Sequence, residues 1–284
     1  MPRRIPAALR LVVTLPPALG ERVARLLFEA GASGLEEQSL RGETQLILHG
    51  KAAELRRFAS TARHALGDAA AGCIISIEPS SVDWVAAWRA SLRPVALTPR
   101  IAIGPVGVRP QFRHQRALFY EPALAFGDGA HPTTRLAARA LERLCRAHPG
   151  ARVLDVGTGT GVLALVAAVS GAKRVLAIDV DPVALTAARR NVELNGCERR
   201  CEIAPRPLSR VRGRFDIVAA NLLLSDQLAL APEMARMARH AGALLLTGFL
   251  VEDVAAIRAA YGGGVRIRSR ARSGEWARLV LSPA

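Results

Sequence analysis

No apolar stretch in this 284-residue chain reaches the ~20 residues that a helix needs to cross a bilayer, which excludes a helical membrane span. Cysteine is scarce. Cys73, Cys145, Cys197 and Cys201 show no paired Cys-x-x-Cys spacing, and no histidine neighbours the close pair at 197 and 201. That disfavours a zinc site and leaves free thiols in a cytoplasmic protein as the expectation. Lysine is nearly missing, occurring only at 51 and 173, so the excess of 39 Lys and Arg over 24 Asp and Glu is carried by arginine. The resulting +15 suits an anionic partner such as RNA or a ribonucleoprotein. Against that, the charge is dispersed without a long Lys/Arg run, and abundant Ala and Arg are also what a GC-rich genome yields. No Gly-Lys-Ser/Thr occurs, which excludes a P-loop. A secretory leader is not expected either, because Pro16-Pro17 interrupts the N-terminal apolar run and Glu21 and Arg22 follow at once.

What is present centres on Arg152-Val153-Leu154-Asp155-Val156-Gly157-Thr158-Gly159-Thr160-Gly161-Val162-Leu163. A short apolar run enters a glycine-rich turn and leaves it as an apolar helical run, the pattern of a buried parallel strand feeding a helix. Glycines at 157, 159 and 161 let the backbone approach a ligand and leave helix-start N–H groups free to meet it. The following strand, Arg174-Val175-Leu176-Ala177-Ile178-Asp179, ends in an acid at the offset where a carboxylate can hold a ribose diol. A nucleoside-bearing cofactor is implied. The dinucleotide pattern wants a third glycine at 162, where Val162 stands, so a nicotinamide oxidoreductase is disfavoured. Asp155 in the strand end suits a cofactor with a cationic amino-acid portion, which S-adenosylmethionine has.

The order of elements predicts two domains. Residues 9–16 read as a strand, 17–31 as a helix, 34–40 and 43–50 as a hairpin, 52–66 as a helix and 72–78 as a strand. This βαββαβ order predicts a small ferredoxin-like α+β domain over residues 1–80. A linker helix over 81–95 carries Trp84 and Trp88 one turn apart, and residues 96–284 form the larger α/β domain. Segments 94–108 and 111–120 read as extended and lead into it. The span from Glu121 to Thr134, with its glycines and prolines, is irregular, and Thr133-Thr134 can cap the next helix, with Leu141 and Leu144 facing inward. His131 reads as a loop or cap residue rather than a base. Phe126 and the threonine hydroxyls are the groups suited to hold an adenosyl ligand from the side opposite the glycines.

Further on, a helix over 182–195 starts behind Asp181, an N-cap, and stops at Asn195-Gly196. A weak strand over 200–203 follows, and then Phe215-Asp216-Ile217-Val218-Ala219-Ala220 runs into Asn221. Asn221 is either a turn residue or, at the C-terminal tip of a parallel strand, an amide facing the ligand crevice. In the second case it can accept a hydrogen bond from a substrate amine and aim its lone pair. Helix 226–240, strand 243–248, helix 252–261 and strands 265–269 and 275–281 complete the alternation.

Together Asp155-x-Gly157-x-Gly159-x-Gly161 and Asp179 resemble class I S-adenosylmethionine-dependent methyltransferases. More narrowly, Leu124-Ala125-Phe126-Gly127-x-Gly129-x-His131-Pro132-Thr133-Thr134, Ile178-Asp179-Val180-Asp181-Pro182 and Ala220-Asn221-Leu222-Leu223 resemble the bacterial methyltransferase family that acts on the eleventh large-subunit ribosomal protein. Asp83-Trp84-x-x-x-Trp88 and Glu275-Trp276 fit the same family.

The resemblance implies a seven-stranded Rossmann-like methyltransferase sheet with an antiparallel last strand, an N-terminal domain for substrate recognition, and a mobile linker. It implies methylation of lysine side chains and the N-terminal amine of that ribosomal protein, free or in the ribosome, with room for a contact to rRNA and none with a membrane. By position, Phe126 and Thr134 flank the cofactor, Asp155, Gly157, Gly159 and Gly161 form its loop, Asp179 holds the ribose, and Asn221 meets the amine. Asp128 stands where the family usually has Thr, and the segment Ala204-Pro205-Arg206-Pro207 has no acid for the adenine amino group. Alternatives are a methyltransferase of another protein or of RNA, and a catalytically silent ribosome-binding fold.

Overall fold

The computed structural model describes residues 9–32, 34–40, 42–79, 92–108, 110, 115–122 and 129–283. Phe126, Asp128, Trp84 and Trp88 lie outside the described residues. Of the linker helix expected over 81–95 only 92–95 is described, and Val95 already belongs to a strand. The chain divides into two units, Met1–Leu92 and Arg93–Ala284.

In the first unit β1 (Leu9–Leu15), α1 (Pro17–Glu29), β2 (Glu36–Leu40), β3 (Glu43–Gly50), α2 (Ala52–Leu66) and β4 (Ile74–Pro79) follow in the ferredoxin-like order. The strands pair antiparallel in the order β2-β3-β1-β4. Pro17 opens α1, where its missing N–H costs nothing. The period-2 side chains Leu11, Val13, Leu15, Leu46 and Leu48 meet Val23 and Leu27 of α1 and Leu55, Phe58, Ala59 and Ala62 of α2 in one core. Each Leu, Val or Phe among them contributes roughly 1.5–3 kcal/mol when fully buried.

The second unit begins with a small sheet of β5 (Val95–Ala96), β6 (Ile101–Pro105) and β7 (Arg116–Tyr120). Then come α3 (Pro132–Ala147), β8 (Arg152–Val156), α4 (Val162–Val169), β9 (Arg174–Asp179), α5 (Pro182–Leu194) and β10 (Cys201–Pro205). After these stand β11 (Phe215–Asn221), α6 (Leu224–Met237), β12 (Ala238–Leu250), α7 (Val254–Tyr261), β13 (Val265–Ser273) and β14 (Trp276–Pro283). The large sheet has seven strands in the order β10-β9-β8-β11-β12-β14-β13. β8 to β12 are parallel, while β14 runs antiparallel to both its neighbours. The chain winds outward from β8 to β10, then returns to build the other half from β11. The reversal leaves a crevice at the carboxyl ends of β8 and β11, where open α/β sheets hold ligands. α4, apolar on every side, is buried nearly throughout, as a helix without a polar face must be.

Two expectations need correction. The helix before β12 stops at Met237 rather than at 240, because Ala238 is already paired with Phe215 and β12 is correspondingly long. On α3, Leu141 is buried, whereas Leu144 is only half-buried and Cys145 takes the inner position. Among the described residues no helix is long and apolar enough to cross a membrane.

Candidate active site

The glycine turn sits over the tips of two strands. Gly157 and Thr158 both donate backbone N–H groups to the Ile178 carbonyl at 3.0 Å. Gly157, Gly159 and Gly161 adopt φ of +69°, +55° and +83°, a region that side chains strain to enter. Gly159 N–H donates to Asp179 Oδ2 at 2.9 Å, and the other carboxylate oxygen accepts from Val180 and Asp181 N–H at 2.8 and 3.0 Å. Asp179 is thus fixed by three backbone donors at the rim of the turn. Asp181 caps α5 by accepting from Val183 N–H at 2.8 Å.

Asp155 lies elsewhere than its sequence context implied. It is fully buried beneath the turn, accepts the Thr158 hydroxyl at 2.6 Å, and does not line the cavity. Burial pushes its carboxyl up to about 6, helped by the nearby charge of Asp179 and opposed by the Thr158 hydroxyl and the Ala164 N–H. Gly161 also stays off the cavity wall, where it caps α4 and packs on Ala188 of α5. The acids that do face the cavity are Asp179, Asp181 and Asp226.

The cavity measures about 630 Å³, within the range of small-molecule sites. Its floor is the turn from Gly157 to Thr160, and one side is an apolar slot of Ile178, Ala184, Pro207 and Leu208. Arg206 closes the slot where the sequence offered no acid. Opposite stand His131, Thr133, Thr134 and Trp276. His131, and not a threonine, is the N-cap of α3. Its Nδ1 accepts from Thr133 N–H at 3.3 Å and lies 2.7 Å from the Thr133 hydroxyl, while its ring meets Trp276 edge-on at 4.8 Å. The Thr134 hydroxyl is buried without a hydrogen-bond partner among the described residues, so it can bond to a polar group of a ligand. Gly129, at φ +89°, fits only because it lacks a Cβ, which would press on Leu97 and Ile103 of the small sheet.

At the mouth, Asn221 ends β11 level with Thr247 of β12, and Leu222, Leu223 and Asp226 continue the wall. Leu222 is wedged. A Cβ on Gly157 would collide with its side chain, and a Cβ on Gly248 with its carbonyl oxygen. Its N–H donates to the Thr247 carbonyl at 3.1 Å. Behind it the buried Gln227 amide donates to the carbonyls of Ala220 and Thr247 at 3.1 and 2.8 Å, stapling α6 to both strand tips. A second staple is Asn191 of α5, fully buried, which donates to Thr160 O at 2.9 Å and accepts from Glu121 N–H at 2.8 Å. One turn on, Asn195 accepts from Phe119 N–H at 2.9 Å and donates to Phe119 O at 2.7 Å. These amides join the glycine turn to β7.

A family profile described as "Ribosomal protein L11 methyltransferase (PrmA)" matches residues 8–283. The chain belongs to this family. A protein named ribosomal protein L11 methyltransferase from Myxococcus xanthus (strain DK1622) is 35% identical over 291 positions, covering 96% of this chain and 98% of its own. One of the same name from Geobacter sulfurreducens (strain ATCC 51573 / DSM 12127 / PCA) is 37% identical, covering 81% and 76%. The crystal structure of ribosomal protein L11 methylase from Lactobacillus delbrueckii subsp. bulgaricus superposes with a TM-score of 0.61 at 32% identity, covering 67% of this chain and 98% of that one. The cofactor of this fold is S-adenosylmethionine, and the cavity fits it: an apolar slot for a base, a carboxylate at the offset for a ribose, and acids facing a cation. Thr134, Gly157, Gly159, Asp179 and Asn221 meet in the one cavity. His131, Trp276 and Asp226 line it too, and Gln227 and Asn191 brace it from behind, without any of them having been singled out as site residues from the sequence. Glu275-Trp276 did stand out as a motif, yet nothing in it told which wall the indole would join.

Proposed function

We propose that the protein methylates lysine side-chain and N-terminal amines of the eleventh large-subunit ribosomal protein, L11, at this cavity. The observation that carries the reading is the meeting of the glycine turn after β8 and Asn221 at the end of β11 in one cavity, in a chain of this family. Bound there, S-adenosylmethionine supplies an electrophilic methyl group. Asp179 would hold its ribose, the Thr134 hydroxyl and the turn's backbone its remaining polar groups, and Leu208 and Ile178 would enclose the base.

The protein's own contribution at the amine is positional. A lysine ammonium with a pKa near 10.4 has no lone pair, so the mouth must favour the neutral form. Leu222, Leu223 and Trp276 strip water from the amine and lower its pKa. Asn221 accepts an N–H from the neutral amine and points the lone pair into the cavity. Asn221 takes up no proton, which leaves to water before attack. Alignment of this kind lowers the barrier without a covalent intermediate. The described residues lining the cavity all belong to the second unit, and we assign the first to substrate recognition.

Intact-mass spectrometry of purified L11 after incubation with the protein and S-adenosylmethionine tests the reading. A mass gain in whole methyl increments is expected. L11 unchanged both free and within ribosomes, with methyl groups found in rRNA, would replace this substrate by RNA.

A further inference from the structure

We propose that the outer edge of the large sheet, strand β13 with the adjoining face of α3, is an RNA-binding surface that contacts the phosphodiester backbone. β13 is the terminal strand, and among the described residues its outer edge has no strand partner. Its sequence, Val-Arg-Ile-Arg-Ser-Arg-Ala-Arg-Ser, places Arg266, Arg268, Arg270 and Arg272 along that edge, all exposed. Strict alternation would send all four to one face. The register shift between Ile267 and Ser269 prevents this. Arg270 and Arg272 pair with Leu279 and Ala277 and share their face, Arg266 pairs with Ser282 on the opposite face, and Arg268 stands in the bulge. The arginines therefore wrap around the edge instead of lying flat on one side.

The neighbouring helix adds to the charge. α3 packs on β13 and β14 and turns Arg139, Arg143 and Arg146 outward. None of these seven arginines makes an ion pair among the described residues. The acid on α3, Glu142, is buried and pairs with Arg100 instead. Beneath α3, Arg278 of β14 is only 3% exposed, donates to Ser269 Oγ at 2.7 Å, and leaves Nε without a partner among the described residues. Burial and the charge of Arg143 both disfavour its protonated form, a sign of uncompensated positive charge at this edge.

Guarding an edge strand against aggregation takes a bulge or a few charges, and this edge carries more. Arginine, whose planar fork matches phosphate, is the suitable cation for RNA. Arg270 and Arg272, in the regular part of the strand, stand about 7 Å apart on one face, a spacing that can follow a phosphate chain. The strip reaches the cavity, since Ser273 pairs with Trp276. This surface is independent of the methyl-transfer reading, because RNA binding is read without cofactor or L11.

The test is fluorescence anisotropy of a short fluorescein-labelled RNA hairpin with the full chain, from about 50 to 200 mM salt. Binding that weakens steeply with salt is expected. Replacing the four edge residues (Arg266→Ser, Arg268→Ser, Arg270→Ser and Arg272→Ser) should weaken it by about tenfold or more and reduce the log–log salt slope by about 3. Lysine at the same four positions should retain most of the binding. A control losing equal charge in the first unit (Arg22→Ser, Arg25→Ser, Arg56→Ser and Arg63→Ser) should bind nearly as the parent does. If thermal melting shows the edge variant unfolded, Arg139→Ser, Arg143→Ser and Arg146→Ser together should cost several-fold. No RNA binding at low salt, equal losses in edge and control variants, or tighter binding of polyglutamate than of RNA would each overturn the proposal.

Discussion

Asp155 and Asp179 are both carboxylates at strand ends under one glycine turn, and their surroundings give them different work. Asp179, bonded to three backbone N–H groups at the cavity rim, stays available to a ribose. Replacing it with alanine removes the turn's anchor and the ribose acceptor together. S-adenosylmethionine affinity, measured by calorimetry, should fall by about 100-fold, while turnover at saturating cofactor falls much less. Asp155 is a structural carboxylate whose pH behaviour can be read. Its pKa is near 3.8 when unfolded and about 6 when folded, so between those values the native state binds more protons. Stability therefore falls as pH rises through 6, by up to about 3 kcal/mol from this group. Asp155→Asn keeps an oxygen for the Thr158 hydroxyl and removes the titration. Urea midpoints at pH 5 and pH 8 should then differ less in the variant than in the parent. An unchanged difference would show that Asp155 is not the group responsible.

Among elements, the site depends on close backbone approaches and buried amides. Gly248, at φ +99°, lets β12 pass against the Leu222 backbone. Gly248→Ala should destabilise the fold by more than about 1 kcal/mol in denaturant titration. Because the displaced segment carries Asn221, methyl transfer should suffer more than cofactor binding. Asn191→Ala removes the buried amide that bonds to Thr160 O and Glu121 N–H. Loss of about 2–3 kcal/mol is expected, seen as a lower melting temperature.

The strands around the site were legible because β8, β9 and β11 are short apolar runs that end in a glycine turn, an acid and an amide. The Trp276 wall was not, because β14 reaches the site by inserting antiparallel between β12 and β13, which no local pattern encodes. Asn191 was equally hidden: a polar residue in a helix reads as solvent-facing until tertiary packing buries it. Asp155 misled for a related reason, since its spacing is that of a ligand contact while its side chain points under the turn.

At the scale of the whole molecule, substrate choice should respond to pH. An N-terminal amine titrates near 7.7–8.0 and lysine near 10.4, so at neutral pH far more of the former is neutral. If the site accepts only neutral amines, the ratio of N-terminal to lysine methylation on L11 should fall as pH rises from 7 to 9, as peptide mass mapping would record. The order of elements was readable from local patterns: βαββαβ first, then alternating strands and helices. The direction of the arginine edge was not, because it depends on a bulge at Arg268 that an alternating sequence conceals.

The central claim is that Asn221, facing the glycine turn across one cavity, aligns an L11 amine for methyl transfer. Single-turnover transfer of labelled methyl groups to purified L11 tests it most directly, comparing the parent with Asn221→Ala while cofactor affinity is measured on both. The account predicts that the variant binds S-adenosylmethionine nearly as well and transfers about 100-fold more slowly. Equal transfer rates in the two proteins would contradict it.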